Sequence, residues 1–137
     1  MPEFHVNYLA VAVAALAPFI IGVLWYAVLF HKIWVKAHGY TDEHLEQIRK
    51  SAGRTNLVSL ACYLVMAFAL AVLISWLGVS TALQGACLGI LVWTGFLATV
   101  GLTANMYSEK RLSTYIIDAG FQLAYAVTMG AILGAWQ

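Results

Sequence analysis

The chain has 137 residues, of which 63% are hydrophobic and 9% charged, with a formal net charge of +1. A soluble domain carries about a quarter charged residues and about half apolar ones, and a small one has no interior large enough to hide such an excess. Near-neutral charge with only seven basic residues excludes a nucleic-acid footprint, so membrane lipids and not nucleic acid are the expected surroundings.

Taken in chain order, the first element is an uncharged apolar run from Leu9 to Phe30. It is expected to stay as a span and not to be cleaved as a signal peptide. The residues before it carry no basic group, the run exceeds a typical signal core, and Trp25-Tyr26 continues it without a cleavage context. Pro18 removes one backbone hydrogen bond inside it and predicts a bend, either a static kink or a hinge. The loop over 31–55 is the one sizeable polar stretch. Gly39 is placed to end an extension of the first helix. Thr41 is a good N-cap with Asp42 and Glu43 in the turn after it. Leu45, Ile48 and Ala52 share a face, and Glu46 pairs with Lys50 at i,i+4. A short amphipathic helix over Asp42–Ala52, lying on the inner membrane surface, or a solvated connector fits this stretch.

Three further apolar runs follow, over Leu57–Leu77, Ala82–Ala104 and Leu112–Trp136, the last interrupted by one charge, Asp118. A helix needs about 20 apolar residues to cross a ~30 Å hydrocarbon core. All four runs are long enough. Lipid offers no partner to exposed backbone groups, so these runs must be helical, and the absence of polar–apolar alternation excludes a transmembrane barrel. The expected fold is all-α: one transmembrane domain, four helices over about 7–30, 57–77, 82–104 and 112–136 in an antiparallel bundle.

Orientation follows from the basic residues. Lys32, Lys36, Arg49, Lys50 and Arg54 lie between the first two helices, and Lys110 and Arg111 between the last two, which is all seven. The positive-inside rule puts both loops in the cytoplasm and both termini outside. Tyr8, Trp76 and Trp136 mark one aromatic belt; Trp34, Tyr40 and Tyr107 mark the other. Cys62 and Cys87 fall at depths about 10 Å or more apart, beyond disulfide reach, and read as small buried hydrophobes.

Several stretches resemble a known family. Asn7-Tyr8-Leu9-Ala10-Val11, Gly22-Val23-Leu24-Trp25-Tyr26 and Trp34 are similar to the N-terminal half of the domain-of-unknown-function 1761 proteins. Gly95-Phe96, Asn105, Glu109, Ile117-Asp118-Ala119, Met129-Gly130 and Leu133-Gly134-Ala135-Trp136 resemble the C-terminal half. The resemblance implies a small four-helix protein of a bacterial inner membrane. It implies no activity.

Asp118 is the outstanding side chain. A carboxylate in a span costs several kcal/mol if charged and unpaired, so it must face protein or water. It lies ~9 Å below the inner boundary at 1.5 Å per residue. Tyr115, Asp118, Gln122 and Tyr125 share one helix face, expected to point into a bundle, while Ile116, Ala119, Leu123, Ala126 and Val127 can face lipid. Depth places Trp25, Tyr26, Ser59, Cys62, Tyr63, Thr99, Thr103 and Asn105 in the same polar layer. Two readings stand: Asp118 as a hydrogen-bonded tie between helices, or as a group that handles a proton, a cation or a ligand.

Gly85 with Gly89 and Gly130 with Gly134 form two GxxxG patterns, which permit close helix approach within the chain or between chains. His31, His38 and His44 lie in the loop, a layer apart from Asp118, and His44-Leu45-Glu46 lacks metal-ligand spacing. No metal, cofactor or catalytic constellation is expected, and the protein is not expected to be an enzyme. The leading function is an oligomeric transport or permeation protein for a small solute or ion. The alternative is an accessory or assembly subunit of a larger membrane complex.

Overall fold

A computed structural model describes residues 2–137 of the chain. It is all-α, with no strand among the described residues. Four long helices dominate: α1 (Tyr8–Leu29), α4 (Ala52–Leu77), α5 (Ala82–Tyr107) and α6 (Leu112–Ala135), each long and apolar enough to cross a membrane. Two short helices, α2 (His31–His38) and α3 (Asp42–Lys50), lie between the first two long ones.

Local chemistry sets the boundaries. The Asn7 side chain caps α1 by accepting from the N–H groups of Leu9 and Ala10, and Thr41 caps α3 by accepting from His44, satisfying donors that a helix start leaves free. Gly39 and Gly78 end α2 and α4 in the left-handed conformation, each with φ of 66°. Past each, the chain folds back so that Tyr40 N–H reaches Val35 and Val79 N–H reaches Ile74, which satisfies carbonyls of the last turn. Glu109 closes α5 in the same manner at φ 54°, with Lys110 N–H on the Asn105 carbonyl.

Two of the long helices are not uniform. Residues Val23–Leu29 of α1 and Trp93–Leu97 of α5 are π-helical, as the bond from Phe30 N–H to the Trp25 carbonyl, five residues back, records. Each π turn inserts a residue and rotates the side chains beyond it relative to an α-helix. At Phe30 the backbone leaves the helical region (φ −120°, ψ 13°), so α2 is a separate helix and not the continuous extension expected from the sequence.

Helix α6 is the hub. It packs along α5, α1 and α4, whereas α4 and α5 scarcely meet. Its contact with α1 and α4 is built from small and aliphatic side chains, Ala10, Ala14, Ala67, Ala71, Ile74, Met129 and Leu133 among them. Its contact with α5 is closer still. A Cβ on Gly85 would overlap the carbonyl of Gly130, one on Gly89 that of Ala126, and one on Gly134 that of Thr81. Both GxxxG patterns therefore serve a single seam inside the chain, where backbones approach closely enough for dispersion contacts to hold helices together.

Being packed on several sides, α6 lacks the outward face expected of it. Ile116 is exposed, but Ala119 and Ala126 are buried at 6% and 5%, because α5 covers them. Elsewhere the helices keep large apolar side chains on the surface, such as Ile20, Val65, Leu91 and Phe96. A water-facing surface of that kind would cost far more than a small protein's net stability; hydrocarbon is its natural solvent.

Candidate functional site

The polar groups gather at the end of the helices that carries the basic loops. There the start of α6 meets the end of α1, the end of α5 and the short helix α2. Tyr26 donates its hydroxyl to Oδ1 of Asp118 at 2.7 Å, an ordinary length for a hydroxyl donor. Trp25, next to it in the π-helical stretch, donates its indole N–H to the carbonyl of Ile117 at 3.0 Å, with its ring against Gly120. From the other side Trp93, at the start of the α5 π stretch, donates to the carbonyl of Ala119 at 2.9 Å. Two indoles and a phenol thus bind three consecutive residues of α6. An indole N–H in an apolar setting needs an acceptor, and a helical carbonyl keeps a second lone pair after its own helix bond.

The opposite oxygen of Asp118 accepts no hydrogen bond among the described residues. Oδ2 lies 3.9 Å from Nε2 of His38, too long for a direct hydrogen bond. That imidazole nitrogen is buried and has no hydrogen-bond partner among the described residues. The expectation that the histidines and Asp118 occupy different layers is therefore wrong for His38. Its cause is the break at Phe30: α2 turns back toward α6, where Thr114 donates to the Ala37 carbonyl at 3.3 Å and fixes the end of α2 in place. Burial pushes the His38 imidazole below its ordinary value; Asp118 pulls it upward and Lys110 adds to the lowering.

Asp118 and Gln122 line two cavities. One, of ≈170 Å³, lies toward α5 and the α5–α6 turn, with Gly101, Asn105, Lys110 and Tyr115 on its wall. The other, of ≈330 Å³, lies toward α1, α2 and α4 and is walled by Tyr26, Trp34, Tyr63, Phe121 and Tyr125, with His38 at its edge. The Asp118 side chain is 37% exposed into this space.

Other residues grouped by depth divide. Tyr115 donates to the Ala98 carbonyl at 2.8 Å and Tyr125 is buried against Tyr63 and Phe121, so both contribute walls. Asn105 is buried and turned to the loop, its amide N–H groups on the carbonyls of Lys110 and Arg111; it borders the smaller cavity without touching Asp118. Thr99 and Thr103 are outside the layer: both are exposed and return their hydroxyls to carbonyls of their own helix. Cys62 is exposed as well, and so is Cys87, both as free thiols. Trp93, His38 and Trp34 complete the site, and depth alone did not select them. Nothing in the sequence marks the π-helical stretch that carries Trp93, nor the fold-back that delivers His38 and Trp34. Among the described residues no cluster of three or more His, Cys, Asp or Glu side chains could hold a metal ion.

In comparisons with known proteins, the model of the family described as protein of unknown function (DUF1761) matches residues 9–134, nearly the whole chain. No curated protein and no solved structure matches it.

Proposed function

The chain belongs to the DUF1761 family of proteins of unknown function, and from that premise we propose that it is a multi-pass membrane protein that moves a small solute or ion past Asp118. The observation that carries this reading is the placement of Asp118 between two cavities, ≈170 Å³ and ≈330 Å³, on different sides of α6. A carboxylate kept as a tie between helices would be enclosed by donors. This one holds a single donor among the described residues, Tyr26, and its side chain is 37% exposed. The pattern fits an ionisable group retained in a span at a cost because it handles a cation or proton.

The reading includes a topology. All seven basic residues lie in the two connections at the Asp118 end or in the first turn of α4 beside them, so the four helices form an antiparallel bundle in a bacterial inner membrane with that end cytoplasmic and both termini outside. It is non-enzymatic, and the working unit is a homo-oligomer in which lipid-facing side chains of neighbouring copies meet. A subunit of a larger complex is the alternative reading; the glycine patterns are spent on the α5–α6 seam, so either assembly would meet through other, lipid-facing side chains.

Reconstitution tests it. Proteoliposomes containing the protein are expected to pass protons or small cations faster than empty vesicles, read with an internal pH dye and a potential-sensitive dye. Asp118→Asn, inserted at the same density, is expected to return the flux to background. Background flux from the unaltered protein across both dyes, or full flux from the variant, refutes the proposal.

A further inference from the structure

The larger cavity narrows the chemistry of the solute. Its wall is a continuous run of rings: Trp34 to Tyr26 at 5.5 Å, Tyr26 to Phe121 at 5.1 Å, Phe121 to Tyr125 at 5.1 Å and Tyr125 to Tyr63 at 5.5 Å between centroids. The one carboxylate on that wall is Asp118. Ring faces are negative, and together with a carboxylate they attract a cation that also carries an apolar coat. We infer that this cavity binds a small organic ammonium ion, its N–H groups shared between Asp118 Oδ2 and His38 Nε2 and its carbon groups against Tyr26, Trp34 and Tyr125. The inference rests on the reading of Asp118 as a working carboxylate.

Three further observations support it. Tyr26 already occupies Oδ1, so Oδ2 is the carboxylate oxygen left for a ligand, and Nε2, 3.9 Å from it, comes within reach of the same nitrogen once the imidazole turns toward the cavity. His38 in its Nδ1-protonated tautomer offers Nε2 as an acceptor and would otherwise stay unsatisfied while buried, at a cost that a ligand donor removes. The volume of ≈330 Å³ falls at the lower end of small-molecule sites, about 300–1,000 Å³. A bare metal ion fits poorly, since hard cations want about six oxygen ligands and the wall offers rings. An anion has no cationic side chain to meet there; Lys110 lines the smaller cavity instead.

The test is calorimetric titration of the full chain in lipid nanodiscs at neutral pH with cyclohexylammonium, its near-isosteric neutral analogue cyclohexanol, and sodium. The ammonium is expected to bind saturably, about tenfold or more tighter than cyclohexanol, and excess sodium is expected not to displace it. Asp118→Asn should weaken binding at least about tenfold. Trp34→Ala, on the short helix outside the long ones, should weaken it about fivefold to tenfold, with Trp34→Phe restoring most of the loss. Equal binding of cyclohexanol, displacement by excess sodium, or an unaffected Asp118→Asn overturns the inference. Ammonium binding without any vesicle flux keeps the site and removes the transport reading; Asp118-dependent proton or sodium flux without ammonium binding does the reverse.

Discussion

The two halves of α6 use one backbone in different ways. Toward its C-terminus, Ala126, Gly130 and Gly134 press their backbone against α5, while Met129 and Leu133 fill the core at 1% and 2% exposure. Toward its N-terminus, the same helix stands off from its neighbours far enough to leave two cavities, and bonded tryptophans bridge the distance. Packing in hydrocarbon depends on contact and not on water exclusion, so the close half supplies the stability that lets the open half carry a carboxylate. Side-chain hydrogen bonds at the open end are spacers as much as glue: an indole holds a neighbouring helix one ring-width away.

Breaking the close half should have the largest effect. Gly85→Ala and Gly130→Ala each place a methyl group into a facing carbonyl and are expected to destabilise the protein by about 3 kcal/mol or more, or to prevent folding. Gly95→Ala, where nothing lies within 4 Å, should change stability by less than about 1 kcal/mol. Unfolding from mixed micelles by increasing SDS measures all three. Next comes the open half. Asp118→Asn should return the flux to background while shifting the same unfolding curve far less than Gly85→Ala. A comparable loss of stability would make Asp118 a tie between helices. Smaller still, Trp25→Phe and Trp93→Phe each remove one bond to α6 and should cost about 0.6 to 1 kcal/mol apiece; a loss beyond that would mean the spacing itself collapses.

The smallest effect concerns pH. The folded chain holds the His38 imidazole below its ordinary value, chiefly by burial. The unfolded chain therefore binds more protons between that lowered value and the usual one near 6.5, and stability rises with pH through the window. The docking of α2 should weaken as pH falls below about 6.5, a slope that His38→Gln removes. Hydrogen exchange at the α2 amides checks it, and a slope of the opposite sign would mean that Asp118 dominates the imidazole.

The long helices were readable from hydropathy alone, because lipid forces a length and a conformation. Their ends were less so. Helix α4 starts at Ala52, ahead of the apolar run at Leu57, since Gly53, Arg54, Thr55 and Asn56 continue the helix while contributing nothing to a hydropathy count. The side of α6 that bears Tyr115, Asp118, Gln122 and Tyr125 followed from 3.6-residue spacing, and Trp25 and Tyr26 followed from depth. The partners that define the site did not. His38 reaches Asp118 through a break at Phe30 that has no proline or glycine to announce it, and Thr99 and Thr103 share the depth but face away. Depth fixes one coordinate of a side chain; the rotation introduced by a π turn changes the other.

The contrast between the two halves of α6 is most directly tested by chemical access. With Cys62 and Cys87 replaced by alanine, Asp118→Cys and Met129→Cys can be compared for labelling by a charged, membrane-impermeant thiosulfonate in intact vesicles. The expected result is rapid labelling at 118, faster from the side bearing the basic loops, and protection at 129. Equal rates at the two positions, or protection of both, would contradict the account.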